Sequence, residues 1–384
     1  MNKIFSSRAI TTGLAIFSML FGSGNLKFPL MIGLQAGPHT GIAVTGLILT
    51  AVLLPLLGLV SMIFFDGNYH KFFGRLGKGT GSFMILYCML IIGPLIVMPR
   101  IVTVAFSMTQ PFVPALSLTW FSIIFMGITF AAAYRRNNIV EILGKVVTPL
   151  LLISLSIIIA KGILGHGYYL PTTKTMLDNF VSSALTGYKT LDLLGTIFFG
   201  AIILEILRDT SPEKESPHQR AIVTLKSGLI SAVLLGLVYV GLSFLGAWYG
   251  SGLAGDTIFA GVALRIMGHG GALVVATAVL MACFSTVIAL AAVFAEYIDR
   301  DLSRNRLGYT ASLAIGTIAT LIPAHLGLAA ILNFSEPIIM VGYPVIIAIT
   351  VCNLAYKLWG FRFIKIPAFL TLVGSTAHYW MTHV

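Results

Sequence analysis

The sequence predicts an all-α integral membrane protein of about eleven transmembrane helices, two of which come apart inside the bilayer. Three observations carry this. The 384 residues are 57% hydrophobic and only 10% charged, with a mean hydropathy of +0.96; a soluble domain needs about a quarter charged residues to cover its surface. Apolar stretches long enough to span a bilayer recur along the whole chain, joined by loops too short for a soluble domain. Two of these stretches are interrupted: the first by FGSGNLKFP, Phe21 to Pro29, and the sixth around Phe198, Phe199 and Gly200.

The spans fall near 9–36, 40–65, 80–109, 115–134, 138–164, 185–208, 219–249, 266–298, 308–325, 328–353 and 366–382. The first begins after MNKIFSS. A basic start followed by an apolar run also suits a signal peptide, but no small-residue cleavage site and soluble chain follow. The longest connection, 165–184, holds Pro171, Lys174 and Asp178.

Loop charge sets the orientation. With a cytoplasmic N-terminus, the inner side collects Lys3, Arg8, Lys71, Arg75, Lys78, Arg208, Lys214, Arg220, Arg300, Arg304 and Arg306 among others. The outer side holds Lys174, with Lys161 near. The net charge of +11 is therefore topology charge facing a lipid bilayer, with no nucleic-acid partner implied. An odd number of spans puts the C-terminus outside.

Several motifs are excluded. GRLGKGT, Gly74 to Thr80, has two residues where a Walker loop needs four, and no strand before it. Cys88, Cys283 and Cys352 lie in apolar runs and read as core residues. The histidines show no metal spacing, and no paired carboxylates with histidine mark an enzyme. A passive channel would favour rings of like residues instead of internally broken helices.

A break in the bilayer survives only where its backbone is buried in protein or lines a cavity. Gly22, Ser23, Gly24 and Asn25 weaken helix propagation, and Pro29 removes a donor. Unwinding frees N–H groups on one half-helix and C=O groups on the other, which suit a carboxylate and a cation. The alternative is a close helix crossing with glycines for packing. If spans 1–5 and 6–10 are inverted repeats, spans 1 and 6 correspond, and paired breaks there point to a transport site.

FSMLFGSGNLKFPL, GPLIVMPR (Gly93 to Arg100), GYKTLDLLGTIFFGAII (Gly187 to Ile203), ACFSTVIALAAVFAEY (Ala282 to Tyr297) and SEPIIMVGYP (Ser335 to Pro344) together resemble the branched-chain amino acid:cation symporters. They stand in the family's order and cover most of the chain. The family is similar in turn to the leucine-transporter-type fold. The resemblance implies a single transporter domain over 1–384: a 5+5 inverted repeat with discontinuous helices 1 and 6, repeat one at 9–164, repeat two at 185–353, and an extra helix at 366–382. The family's usual twelve spans exceed the eleven counted here. The implied function is alternating-access import of leucine, isoleucine and valine across the inner membrane. The coupling ion is Na⁺, with H⁺ as the alternative, and no other cofactor enters. The oligomeric state stays open.

A zwitterionic substrate needs donors, acceptors and an apolar wall. The backbone of Gly22, Ser23, Gly24 and Asn25 would donate to its carboxylate. Carbonyls around Phe21 and Phe199 would accept from its ammonium. Phe198 and Phe199, with Gly200 beside them, would wall its side chain. The leucine-transporter-type pattern implies a Na⁺ held by the Ser285 and Thr286 hydroxyls and the carbonyls of Ser18 and Phe21. The alternative has both hydroxyls bonding back to the preceding turn.

Charges within spans are costly and mark function by default. Lys27, Arg100, Asp192 and Glu336 all map to the outer half. Lys27 and Glu336 stand where the family usually has apolar residues, and two compensating departures predict a gating ion pair; the alternative is separate snorkelling toward water. Asp192 fits the family's GY-x-T-x-D pattern and either tunes coupling or bonds locally. Glu141 and Lys145 are spaced for a surface i, i+4 pair, and Glu296 reads as interfacial.

Overall fold

The computed structural model describes residues 7–110, 113–165, 167–169, 171–172, 174–210, 216–253 and 255–383. Lys3, His166 and Lys214 lie outside them. The described residues form helices and turns without strands. In chain order the helices are α1 (Ser7–Leu20), α2 (Ser23–Ala36), α3 (Thr40–Ile48), α4 (Leu54–Phe64), α5 (Tyr69–Gly74), α6 (Lys78–Leu90), α7 (Val97–Thr109), α8 (Leu118–Ala133), α9 (Ile139–Ile142), α10 (Thr148–Leu164), α11 (Met176–Tyr188), α12 (Asp192–Asp209), α13 (Pro217–Tyr249), α14 (Ile258–Met267), α15 (Ala272–Tyr297), α16 (Tyr309–Ala324), α17 (Leu328–Trp359) and α18 (Lys365–His383).

Among the described residues, six helical runs are long and apolar enough to cross a membrane: Ser23–Phe64, Lys78–Thr109, Arg136–Leu164, Pro217–Tyr249, Ala272–Leu302 and Leu328–Trp359. A seventh is α11 with α12, taken as one broken span. The first run has 42 residues, about twice what a bilayer core needs at 1.5 Å per residue. It turns at Gly37, whose φ is 50°, with Pro38 next. The chain is a multi-pass membrane protein.

Five-residue wide turns join several of these helices, at Leu49–Leu53, Ile91–Leu95, Leu143–Val147 and Ile298–Leu302. The second carries Pro94, and the first and third end two residues before Pro55 and Pro149. A proline lacks the N–H for the preceding turn and crowds its carbonyl, so the helix widens there. At Gly93 the backbone leaves helical geometry altogether (φ −85°, ψ −131°). The sequence expectation had breaks in spans 1 and 6 alone. Span 3 is interrupted too, because the residue before a proline is pushed out of the α region and the Phe294 ring occupies the space a Gly93 side chain would need.

The chain folds into two compact units, each drawing on both halves of the sequence. The first comprises Met1–Leu53, Ile101–Thr190 and Lys226–Ala289; the second comprises Leu54–Arg100, Leu191–Leu225 and Leu290–Val384.

In the first unit α1 and α2 pack on α13 through small residues. A Cβ on Gly33 would strike the Ser243 carbonyl, and one on Gly246 the Leu30 carbonyl, so the α2 and α13 backbones touch. Without a hydrophobic drive between helices in lipid, such close approach is what binds them. Side-chain hydroxyls add to it: Ser227 Oγ donates to the Ala9 carbonyl at 3.0 Å and Thr148 Oγ1 to that of Leu14 at 2.9 Å.

In the second unit α12 lies along α4, with Gly200 against Leu59 and Met62 and Gly58 against Leu193. Tyr87 donates to the Ile338 carbonyl of α17 at 2.7 Å. Arg75, just past α5, donates to Asn353 Oδ1 at 2.9 Å and lies 3.9 Å over the Tyr356 ring. The GRLGKGT stretch is a turn here, with Gly77 at φ 113° capping α6.

Candidate functional site

Span 1 parts at Phe21 and Gly22. Phe21 N–H still closes the last turn of α1 on the Phe17 carbonyl at 2.8 Å, and Gly22 is extended (φ −99°, ψ −165°). Ser23 begins α2, which continues through Pro29. The sequence expectation of an unwound Gly22–Asn25 stretch is therefore corrected: Ser23, Gly24 and Asn25 form the first turn of α2. One extended glycine is enough to uncouple the two half-helices. The first-turn N–H groups of Ser23 and Gly24 lack carbonyls of a preceding helical turn, which gives that end its affinity for negative charge. The residue at 22 is tightly held, since a Cβ would sit 3.1 Å from Thr286 Oγ1.

The carbonyl end of α1 meets α15. Ser285 Oγ donates to the Ser18 carbonyl at 2.7 Å, and Thr286 Oγ1 approaches the same oxygen at 3.4 Å. Both hydroxyls also reach the Ala282 carbonyl, at 3.1 and 3.3 Å. The back-bonding that was the alternative is present, and both hydroxyls also converge on the broken span. Ser18, Phe21 and Ser285 are wholly buried and Thr286 nearly so. Neutral oxygens converging in an apolar surround suit a hard cation that need not be balanced by a carboxylate.

Tyr239, which sequence reasoning missed, completes this locus through Asn25. Asn25 Nδ2 donates to the Leu20 carbonyl across the break at 3.0 Å and to the Tyr239 hydroxyl of α13 at 2.6 Å. Tyr239 is fully buried, with its ring 6.2 Å from that of Phe21. Its only sequence signal is a phenol hydroxyl in the middle of a 33-residue apolar helix.

Span 6 breaks elsewhere than expected. Phe198, Phe199 and Gly200 lie inside the uninterrupted α12; the discontinuity is at Lys189–Leu191, about two turns earlier. Neither aromatic residues nor one glycine stop a helix whose neighbours fit them. Phe198 packs between the rings of Tyr69 and Phe73, at 5.5 and 6.1 Å, and the Phe199 ring covers Gly195. At the actual break Leu191 takes the left-handed conformation (φ 62°, ψ 15°). Thr190 Oγ1 caps the end of α11 on the Gly187 carbonyl at 2.9 Å. Asp192 is buried at the first position of α12, where a carboxylate complements the helix dipole. Phe198, Phe199, Gly200 and Asp192 belong to the second unit, whereas Ser18, Phe21–Asn25, Ser285 and Thr286 belong to the first.

Of the remaining span charges, Lys27 lies half-buried in α2 of the first unit. Arg100 (half-buried, α7) and Glu336 (exposed, α17) lie in the second. Glu141 and Lys145 form the expected i, i+4 pair at 2.5 Å, both well exposed.

The second unit holds a cavity of about 620 Å³. Phe198, Ile202 and Val293 give it an apolar wall, and a charged network crosses it. Tyr69 donates to Asp301 Oδ2 at 2.7 Å, and His70 Nε2 lies 2.8 Å from Asp301 Oδ1. Arg300 pairs with Glu205 and, at 2.7 Å, with Glu296. The hydrogen bond to Asp301 raises the His70 pKa above its ordinary value, partly opposed by burial. Glu296 is thus an internal partner of Arg300 rather than a merely interfacial residue. The Glu296–Arg300 spacing of four was visible in the sequence; the Glu205 and Asp301 partnerships were not, being long-range.

Residues 6–380 match the family described as branched-chain amino acid transport protein. The chain belongs to that family. This transport protein is 30% identical to the branched-chain amino acid permease BraB of Bacillus subtilis, over 92% of this chain and 81% of that one. It is 28% identical to the permease BrnQ of Escherichia coli, over 97% and 86%. It is also 28% identical to the branched-chain amino acid transport system 2 carrier protein of Pseudomonas aeruginosa, over 91% and 81%. These relatives are named as permeases and carriers, not enzymes. Among solved structures, the transport protein resembles a Na⁺-coupled sialic acid symporter at TM-score 0.63, with 10% identity over 96% of this chain and 89% of that one. It also resembles a nucleobase-cation-symport-1 family transporter at TM-score 0.62, with 12% identity over 97% and 92%. At such identities the likeness is one of fold, and that fold is the leucine-transporter type the sequence led us to expect.

Proposed function

We propose that the protein is a secondary active transporter importing leucine, isoleucine and valine across the cell's inner membrane by alternating access, coupled to Na⁺ rather than H⁺. The observation that carries the coupling is the convergence of Ser285 and Thr286 on the Ser18 carbonyl beside the broken span. A Na⁺ there would take its oxygens from Ser18, Phe21, Ser285 and Thr286. The ion would tie α1 to α15 and hold the break in a binding-competent shape.

The substrate class is supported by the names of the relatives, which are branched-chain amino acid permeases and carriers. In this reading the Ser23 and Gly24 N–H groups, with Gly22 and Asn25 flanking them, receive the substrate carboxylate. The Phe21 carbonyl accepts from its ammonium. Selection among the three substrates is weak, because one methylene is worth only about 1–3 kcal/mol. Arg100 and Asp192 tune the coupling. The N-terminus is cytoplasmic, as the crowding of Arg and Lys into the inner loops supports.

The test is concentrative uptake of labelled leucine into proteoliposomes under an imposed Na⁺ gradient, with a H⁺ gradient as comparison. Accumulation under Na⁺ alone is expected. Accumulation driven only by H⁺ would move the coupling to a titrating carboxyl such as Asp192 or Glu336. Mere equilibration would remove active transport.

A further inference from the structure

We propose that Tyr239 is a positioning residue for the broken span, acting through Asn25. The inference rests on the transport reading above and deepens it. Where a helix ends inside a bilayer, its last carbonyls must find donors within the protein. At the end of α1 the Leu20 carbonyl accepts from Gly22 N–H at 3.0 Å and from Asn25 Nδ2 at 3.0 Å. Asn25 therefore reaches back over the gap from the first turn of α2 and ties the two half-helices together. A primary amide has two N–H bonds, and the second goes to the Tyr239 hydroxyl at 2.6 Å.

Tyr239 brings an outside reference to this clasp. Its helix, α13, is locked to α2 by the Gly33 and Gly246 backbone contacts farther along. The hydroxyl thus fixes the Asn25 amide relative to a helix that does not take part in the break. The amide in turn fixes the Leu20 carbonyl and the direction of the Ser23 and Gly24 N–H groups. A tyrosine used for packing alone would need neither the hydroxyl nor its alignment with the amide. Here the hydroxyl is directed at a side chain that spans the gap.

Two readouts test this. In proteoliposomes Tyr239→Phe raises the KM for leucine about tenfold with the maximal rate within twofold, as expected for lost pre-organisation of a binding site. Asn25→Ala does the same, and the double variant is no worse than Asn25→Ala alone because both act through one bond. Effects that multiply, or a Tyr239→Phe KM within twofold of the parent, overturn the proposal. The second readout needs no transport. Cys88, Cys283 and Cys352 are buried, so maleimide labelling of a Ser23→Cys variant in detergent reports the break itself. Tyr239→Phe speeds that labelling at least fivefold, and unchanged labelling overturns the proposal. Faster labelling in a protein whose parent carries no leucine retains the positioning role and removes the transport reading. If Tyr239→Phe fails to fold, Asn25→Gln, which displaces the amide by one methylene without deleting it, gives the same labelling comparison.

Discussion

The Ser285 hydroxyl lies 2.7 Å from the Ser18 carbonyl, wholly buried, and joins α15 to the last turn before the break in span 1. Its removal leaves that carbonyl with only the distant Thr286 contact at 3.4 Å. Ser285→Ala is expected to destabilise the fold by about 1–3 kcal/mol, the range for a buried acceptor left underpaired. Thr286→Ala loses less stability, its bond being longer. If these hydroxyls are ion ligands, both variants raise the Na⁺ concentration for half-maximal uptake at least tenfold at saturating leucine. A shift in melting temperature without any change in Na⁺ dependence would reduce the pair to a helix–helix bond.

Gly33 and Gly246 mark where α2 and α13 touch through backbone. A side chain at either position meets a carbonyl of the other helix, which cannot swing aside as a flexible side chain would. Gly33→Leu and Gly246→Leu are each expected to destabilise by several kcal/mol or to prevent accumulation, through forced separation of the helices. Gly127→Leu, at a glycine with open space around it, is the control and should leave the melting temperature within a degree or two. Equal loss in all three would mean that added side-chain bulk anywhere on these helices, rather than the α2–α13 backbone contact, sets the effect.

The His70–Asp301 pair predicts a pH dependence with a definite sign. The folded-state pKa of His70 lies above its unfolded value of about 6.5, first because of its hydrogen bond to Asp301. Its stabilisation is therefore complete below that unfolded value and is lost as pH rises through the folded pKa. The histidine side chain is about half exposed (53%), so screening holds the contribution below about 1 kcal/mol. The melting temperatures of wild type and His70→Gln should differ most near pH 5.5 and converge toward pH 8.5. A gap that widens with rising pH would mean that the neutral imidazole is the favoured form.

These positions also mark how far the sequence could be read. Span existence was legible because apolar length in a bilayer is a strong constraint. The parting at Gly22 was legible because two glycines and an asparagine in nine residues have little other use mid-membrane. Its extent was overestimated, since Ser23, Gly24 and Asn25 are poor helix interiors but good first-turn residues. In span 6 the sequence points to Phe198–Gly200, but the helix parts at Leu191, where no glycine or proline announces it. Span 3 carried a readable Gly93–Pro94 pair that was absorbed into a family motif instead of being taken as a break. Tyr239, Glu205 and Asp301 were illegible for a simpler reason: each takes its role from a partner more than ninety residues away.

Leu191 gives the last prediction. A β-carbon in the left-handed region costs roughly 1–2 kcal/mol, and Leu191 holds φ 62° at the N-cap of α12 without a capping side chain. Strain of this kind persists where the surroundings demand it and is concentrated at sites that move or bind. Leu191→Gly relieves it but loosens the unfolded chain by about 0.5–1 kcal/mol and gives up the burial of the leucine side chain. Leu191→Asn tolerates the left-handed conformation with less added chain freedom. The asparagine variant should therefore melt at or above the glycine variant. If the left-handed turn is a fixed feature of the carrier, both retain leucine uptake. If Leu191 leaves the left-handed region during the cycle, stabilising that conformation traps one state: uptake falls although the melting temperature does not. Uptake and melting temperature measured on the same two variants separate a static kink from a hinge.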